Sequence, residues 1–302
     1  MEYRPLGKTG FAVSRIGAGD VADRSLSRET CVQTLQRALA NGVNLVDTAP
    51  GYEDGFSEEI VGDAVAQRRD SVFVISKIDD FALPLEVQLS ASLDRLQMRY
   101  LDGYVYHGLS DLDTYASLCT RPDGFSALQD LKARGLVRAV GISSHDPDVL
   151  LQAMRDEQCD IVMFPVGPFV DERYLTEVLP EAKARGIGTV CFKTFGAGKL
   201  VTDTVGYGQP IIERPRGKRS AGVHASLGSQ NVSVADCVHF TLTHDPDVAL
   251  LGMSYPSEQD LVWDAYRSFI PKSAEQLTDT AVRAKIARQG KGPCWWNPNP
   301  DA

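Results

Sequence analysis

Eight short apolar runs recur along this chain, at 14–17, 45–47, 72–77, 101–107, 137–143, 160–164, 188–193 and 248–252. Most lack the strict alternation of a sheet with one wet face. Such runs suit strands covered on both sides, the condition of a parallel sheet with helices packed against it. Helical patterns lie between them. Cys31, Leu35, Ala38 and Leu39 make one stripe, which Ser27 can cap and Asn41-Gly42 can end. Leu85, Leu89, Leu93 and Leu96 make a second, and Leu175, Val178, Leu179 and Ala182 a third that stops at Gly186. Eight successive βα units, with no linker of changed composition, predict a closed α/β TIM barrel, (β/α)8, with residues 1–302 as one domain.

Three stretches stand outside this rhythm. Residues 3–6 and 11–13, around Lys8-Thr9-Gly10, predict an N-terminal β-hairpin that plugs the barrel floor. Residues 202–231, rich in Gly, Pro and Arg, are expected to run over the barrel mouth. Residues 290–302, with Pro293, Trp295, Trp296, Pro298 and Pro300, read as an extended C-terminal tail. The rival architecture is an open dinucleotide-binding sheet, because Gly17-x-Gly19-x-x-Ala22 has the G-x-G-x-x-A spacing. That fingerprint needs a helix opening at its third position, whereas residues 22–26 read as loop up to the cap at Ser27.

Composition removes several classes of function. Forty acidic against thirty-one basic side chains give a formal charge of −9, which argues against a nucleic-acid partner. No apolar stretch approaches a bilayer span and no signal-peptide core follows Met1, so no membrane association and a cytoplasmic location are expected. The six cysteines are widely spaced without a C-x-x-C pair, and His239 and His244 miss the i, i+4 spacing of a helical metal site. Reduced thiols and no metal are expected. Oligomeric state is left open.

Chemistry concentrates at successive strand ends, where barrels carry their active sites. Asp47, Lys77 and His107 each close an apolar run, and Tyr52 follows Asp47 by five residues. A charge ending a buried strand needs a partner, and Asp47 with Lys77 is the natural pair. On spacing alone, one mouth salt bridge with an incidental tyrosine and histidine explains the pattern equally well. The chemistry favours a site. A phenol titrates near 10, an adjacent ammonium is expected to lower that value, and a carboxylate fixes the lysine. An imidazole beside them can orient a carbonyl oxygen. The four together would deliver a proton to an oxygen becoming an alcohol, with hydride from a cofactor.

Further motifs converge on one family. They are Leu6-Gly7-Lys8-Thr9-Gly10 with Val13-Ser14-Arg15-Ile16-Gly17, then Gly42-Val43-Asn44-Leu45-Val46-Asp47-Thr48-Ala49 with Gly51-Tyr52, and Ser57-Glu58-Glu59. Ile75-Ser76-Lys77, Ser92-Leu93-x-Arg95-Leu96 leading to Asp102 and His107, and Gly135-x-Val137-Arg138-x-x-Gly141-Ile142-Ser143 complete the set. On these residues the chain resembles the aldo-keto reductase superfamily over nearly its whole length. The resemblance implies a barrel that binds NADP, or alternatively NAD, in extended form and acts on a small carbonyl or alcohol substrate, sugars included. It implies a catalytic tetrad of Asp47, Tyr52, Lys77 and His107, with Tyr52 as general acid.

The implied cofactor residues follow in chain order. Gly19 and Asp20 follow the first expected strand. The family's carboxamide clamp of Ser-Asn and Gln stands here as Ser143-Ser144 and Met163, and Phe192 is expected to stack on the nicotinamide. Lys193, Thr194, Gly196 and Gly198 would form the loop over the pyrophosphate, and Gly252, Ser254, Glu258 and Gln259 would meet the adenosine end. Residues 254–260 carry no cation for a 2′-phosphate, so only a small preference between the two cofactors is expected. Arg214, Arg216, Lys218 and Arg219 are weaker phosphate candidates, and Trp295, Trp296 and His145 weaker substrate-pocket candidates. Two other readings remain: a cofactor-binding sensor or regulatory subunit with little turnover, and a lyase using Lys77 as a Schiff base. Asp47 speaks against the second.

Overall fold

The chain opens with an antiparallel pair, β1 (Tyr3–Pro5) and β2 (Ala12–Ser14), with Tyr3 opposite Ser14. This computed structural model describes residues 1–207, 231–291, 294, 296 and 297. Between the two strands, Leu6 enters the barrel interior and is fully buried among Leu45, Phe73, Ile161 and Val248. Gly7 makes that entry possible. Its φ is +49°, and a Cβ there would stand 2.3 Å from the Gly188 nitrogen. The Gly7 amide donates to Asp247 Oδ2 at 3.2 Å, and the Lys8 amide to the Gly186 carbonyl at 2.9 Å, so the hairpin is bolted to the floor.

Eight parallel strands then close on themselves. They are β3 (Ile16–Gly19), β4 (Leu45–Asp47), β5 (Phe73–Ile78), β6 (Leu101–Tyr106), β7 (Val137–Ser143), β8 (Ile161–Pro165), β9 (Gly188–Phe192) and β10 (Val248–Gly252). Each pairs with the next, and β10 returns to β3 with Leu250 opposite Gly17. The helices used below are α1 (Arg28–Ala40), α2 (Phe56–Val65), α3 (Leu85–Leu96), α4 (Leu112–Thr120), α5 (Phe125–Ala133), α6 (Pro147–Arg155), α7 (Leu179–Arg185), α8 (Val234–His244), α9 (Pro256–Arg267) and α10 (Ala274–Ala287). Ser27 caps α1 by accepting from the Thr30 amide, and Gly186 ends α7 in the left-handed conformation. The chain is loop from Asp20 to Ser27, so the Gly17-x-Gly19-x-x-Ala22 spacing opens no helix.

The expected strand at 14–17 is two strands. The backbone turns at Arg15, where Ser14 Oγ donates to the Ile16 carbonyl at 2.7 Å and the Arg15 guanidinium meets Asp245 at 2.9 Å. Ser14 therefore ends the hairpin and Ile16 starts the barrel. His107 and Lys193 stand one residue past their strands, and Lys193 takes a φ of +70°. Residues 208–230, with Arg214, Arg216, Lys218 and Arg219, lie outside the described residues, as does Trp295. Trp296 is buried beside Phe169, Leu200 and Ala284 and donates from Nε1 to the Phe169 carbonyl, so it packs among loop and helix residues. Cys119 is exposed while the other five cysteines are buried, all as free thiols. Among the described residues no helix is long and apolar enough to cross a membrane.

Two buried carboxylates tie helices to strands outside the barrel. Glu58 on α2 accepts from Ser76 Oγ and from Arg95 Nε of α3, both at 2.6 Å. Asp102 of β6 receives Arg69 at 2.6 Å, Arg138 at 3.0 Å and the Val74 amide at 3.0 Å. Where α2 crosses α3, Gly62 lies on backbone: a Cβ would come 2.4 Å from the Leu96 carbonyl oxygen. Alanine for glycine inside a helix ordinarily stabilises by about 1 kcal/mol. At Gly62 the clash is with backbone, so Gly62→Ala is expected to destabilise instead, by about 1–3 kcal/mol. Denaturant melting checks the sign, and a gain in stability would mean that α2 and α3 separate freely.

Candidate active site

Asp47 ends β4, and Lys77 comes from β5 two residues beyond Ile75, the residue opposite Asp47. Both side chains are almost fully buried, and Lys77 Nζ is 2.7 Å from Asp47 Oδ1. The ammonium also donates to the Thr48 carbonyl at 2.8 Å and to the Tyr52 hydroxyl at 3.1 Å. A tight turn brings Tyr52 back over the strand ends. Its amide donates to the Ala49 carbonyl at 3.1 Å, and Glu53 and Asp54 take φ values of +51° and +52° before α2 begins. The Tyr52 ring lies 4.3 Å from Lys77 Nζ, and its edge meets the His107 ring at a centroid distance of 5.5 Å. All four tetrad candidates thus meet at one point on the barrel mouth.

The electrostatics correct one expectation. Burial outweighs the neighbouring ammonium, so the Tyr52 hydroxyl is pushed up to about 12, not lowered. It stays protonated at neutral pH. Desolvation opposes the Lys77 ammonium, but Asp47 and Tyr52 overcome it and leave the lysine raised. Asp47 is raised by burial against the pull of Lys77.

The four groups sit in the wall of a cavity of about 540 Å³. Of the candidate cofactor residues, Gly19, Asp20, Ser143, Met163, Phe192, Lys193, Thr194, Gly198, Gly252, Ser254 and Glu258 line it. Ser144, Gly196 and Gln259 do not. The Ser144 hydroxyl is taken up in its own turn, accepting from the Asp146 amide at 3.0 Å. Gly196 is buried at a bend, its amide donating to the Lys193 carbonyl at 2.8 Å. Gln259 is fully buried and ties α9 to α1 by donating to the Thr34 carbonyl at 2.9 Å. His145 does line the cavity, packed against Phe192 at 5.3 Å. Burial first, then Lys193 and His107, lower its pKa to about 3, so the ring is neutral. Burial alone brings Lys193 down to about 8.

A model of the aldo/keto reductase family matches residues 15–272. The chain belongs to the aldo/keto reductase family. It is an oxidoreductase by that membership, and it acts in NAD(P)-dependent carbonyl chemistry as the family does. The chain is similar to the NADH-specific methylglyoxal reductase of Escherichia coli (strain K12), 29% identical over 236 residues, covering 68% of this chain and 70% of that protein. A solved aldo-keto reductase of Bacillus halodurans in its holo form superposes with a TM-score of 0.72 at 22% identity, covering 94% of this chain and 96% of that one. An aldo-keto reductase of Klebsiella pneumoniae in complex with NADPH gives a TM-score of 0.67 at 24% identity, covering 95% and 96%. At these identities the solved structures speak to the fold, an eight-stranded (β/α)8 barrel.

Two residues of this aldo/keto reductase escape the sequence reading. Asp79, just past β5, touches His107 Nδ1 at 2.5 Å and accepts the Gly51 amide at 2.6 Å. The signal was its spacing from Lys77, since i and i+2 share one face of a strand. Arg37 reaches from α1 to the start of α9, bonding the Pro256 carbonyl at 3.1 Å and Asp260 at 2.6 Å. Nothing local in α1 marks it, because its contacts are more than two hundred residues away.

Removing the charge of Asp47 strands an ammonium that water does not reach. Asp47→Asn is expected to lower stability by about 3–5 kcal/mol, the cost of breaking a buried pair. Denaturant unfolding measures it. A loss below about 1 kcal/mol, typical of exposed pairs, would show that water enters the site.

Proposed function

We propose that this enzyme interconverts a small aldehyde or ketone, sugars included, with its alcohol, using Tyr52 as the proton donor in reduction. The observation that carries this reading is the triple contact of Lys77 Nζ with Asp47, the Thr48 carbonyl and the Tyr52 hydroxyl at the cavity wall. Tyr52 holds a proton at neutral pH, as an acid must. As a carbonyl oxygen gains negative charge, the Tyr52 proton passes to it. The fixed ammonium 3.1 Å behind then stabilises the phenolate that is left. His107 orients the same oxygen, and Asp47 holds Lys77. In the alcohol direction Tyr52 takes the proton back. A sensor without turnover would have no use for the Tyr52–Lys77 contact.

A nicotinamide cofactor fits the residues present, and when bound it supplies the hydride. Phe192 offers an aromatic face at the cavity wall, Gly198 a left-handed turn with no side chain, and Ser143 a hydroxyl for the carboxamide. Met163 contributes no hydrogen bond where the family has Gln, and the Ser144 hydroxyl is already engaged. NADP(H) is the proposed cofactor, with NAD(H) accepted. The relatives point both ways, one named for NADH and one solved with NADPH.

At the adenosine end, Glu258 lines the cavity and its carboxylate accepts the Ser254 amide at 2.9 Å. The nearby Arg37 charge is matched by Asp260. A 2′-phosphate therefore gains little there.

Two measurements test this reading. Tyr52→Phe keeps the ring and removes only the hydroxyl, so turnover should fall by roughly 10²–10⁴ with cofactor affinity nearly unchanged. A variant retaining more than about a tenth of the rate would take Tyr52 out of the mechanism. The ratio of kcat/KM for NADPH over NADH should stay below about a thousandfold, roughly 4 kcal/mol. A larger ratio would require a cationic phosphate site beyond Arg37.

A further inference from the structure

We infer that Asp79 holds the proton of His107 on Nδ1, so that the ring offers Nε2–H to a carbonyl oxygen only as an imidazolium. The inference rests on the reading of the site as one that reduces a carbonyl. It begins with the 2.5 Å contact between His107 Nδ1 and Asp79 Oδ1. A carboxylate only accepts, and a neutral imidazole has one N–H, so that proton lies on Nδ1. Nε2, across the ring, is left for the cavity that His107 lines. In the neutral ring Nε2 is an acceptor, unable to donate to a carbonyl. It becomes a donor when a second proton arrives, and Asp79 stabilises the charge this creates.

Asp79 is positioned for this from both sides. Its second oxygen accepts the Gly51 amide at 2.6 Å, which fastens the turn that carries Tyr52. A Cβ at residue 51 would stand 2.6 Å from Asp79 Oδ2, so a larger residue there would push the Asp79 carboxylate aside. Desolvation works against the Asp79 carboxylate, yet the His107 bond, the His107 charge and the Gly51 amide hold it below the ordinary carboxylate range. It is therefore ionised throughout the working range.

Four other groups around His107 do not supply that charge. Lys77 from β5 and Asp47 from β4 compensate each other at 2.7 Å. Tyr52 from the turn is protonated, and His145 from the loop after β7 is neutral. Asp20 and Glu53 also line the cavity wall. Asp79 is thus a positioning residue that sets the protonation of its neighbour. In reduction the carbonyl oxygen takes its proton from Tyr52 while the imidazolium donates a hydrogen bond and keeps its own proton. In oxidation the neutral ring can accept from the alcohol hydroxyl. Reduction should fall, and oxidation persist, as pH rises through the His107 titration.

The test reads the ring directly. Two-bond 15N–1H NMR spectra of the labelled, ligand-free enzyme, assigned by loss of the signal in His107→Gln, report which nitrogen carries the proton. Wild type should show Nδ1–H above the titration and both nitrogens protonated below it. Asp79→Asn should move the titration to lower pH by one unit or more. The alkaline limb of kcat/KM for carbonyl reduction should move with it, and Asp79→Glu should restore part of the shift. A Nε2–H tautomer in wild type would overturn the inference, and so would an unmoved titration in Asp79→Asn. A purely structural role would lower kcat/KM equally at every pH. Because the NMR titration needs neither substrate nor cofactor, its outcome is separate from that of Tyr52→Phe.

Discussion

A lysine ammonium with almost no access to water can persist only if something on the protein replaces its hydration. Lys77 has three such replacements: the Asp47 carboxylate, the Thr48 carbonyl and the Tyr52 hydroxyl. Two of them come from β4 and the residue that follows it, so the ammonium can exist only if β4 and β5 are paired in register. That register places Asp47 opposite Ile75. A shift of one residue would turn Lys77 to the helical layer outside, where Ser76 now meets Glu58. The charge at the barrel mouth and the closure of the barrel are therefore the same constraint seen at two scales.

The inner and outer faces of β5 divide the family motifs into two kinds of work. Ser76 points outward, and with Glu58 and Arg95 it locks α2 and α3 against the strand. Lys77 and Asp79 face the mouth and hold Tyr52 and His107. Asp102 repeats the outward pattern on β6, where Arg69 and Arg138 both stack on Tyr100, at 4.2 Å and 4.1 Å. Motif residues such as Glu58 and Asp102 are thus brackets, remote from the chemistry. They act on it by fixing where α2, and so the turn before it, can lie.

What could be read from the sequence follows from how local each signal is. The strands were marked by short apolar runs, and Asp47, Lys77 and His107 by being polar at the ends of those runs. The break at Arg15 was not marked, since it depends on Asp245 at the far end of the chain. Ser144, in the place of the family's Asn, and Gln259 fall at family cofactor positions, yet their hydrogen bonds are spent on a turn and on α1. Those partners arise only from packing. The direction of the Tyr52 shift was misjudged for a related reason: the ammonium was evident from residue types, whereas the depth of burial that outweighs it is a property of the folded barrel.

That depth has a chemical consequence. A phenol lowered toward neutrality would be partly ionised before any carbonyl arrived, and the ionised fraction could donate nothing. In the proposed mechanism the proton stays on Tyr52 until the acceptor oxygen itself becomes basic. The buried ammonium would then act on the phenolate formed at that moment, in surroundings of low polarity where a charge at 3.1 Å counts for more than in water. Desolvation and the Lys77 charge oppose each other: burial keeps the proton on Tyr52 in the resting enzyme, and in the proposed mechanism the ammonium offsets part of the cost of the phenolate. A more exposed tyrosine would give up its proton more readily at rest and gain less from the lysine in the transition state.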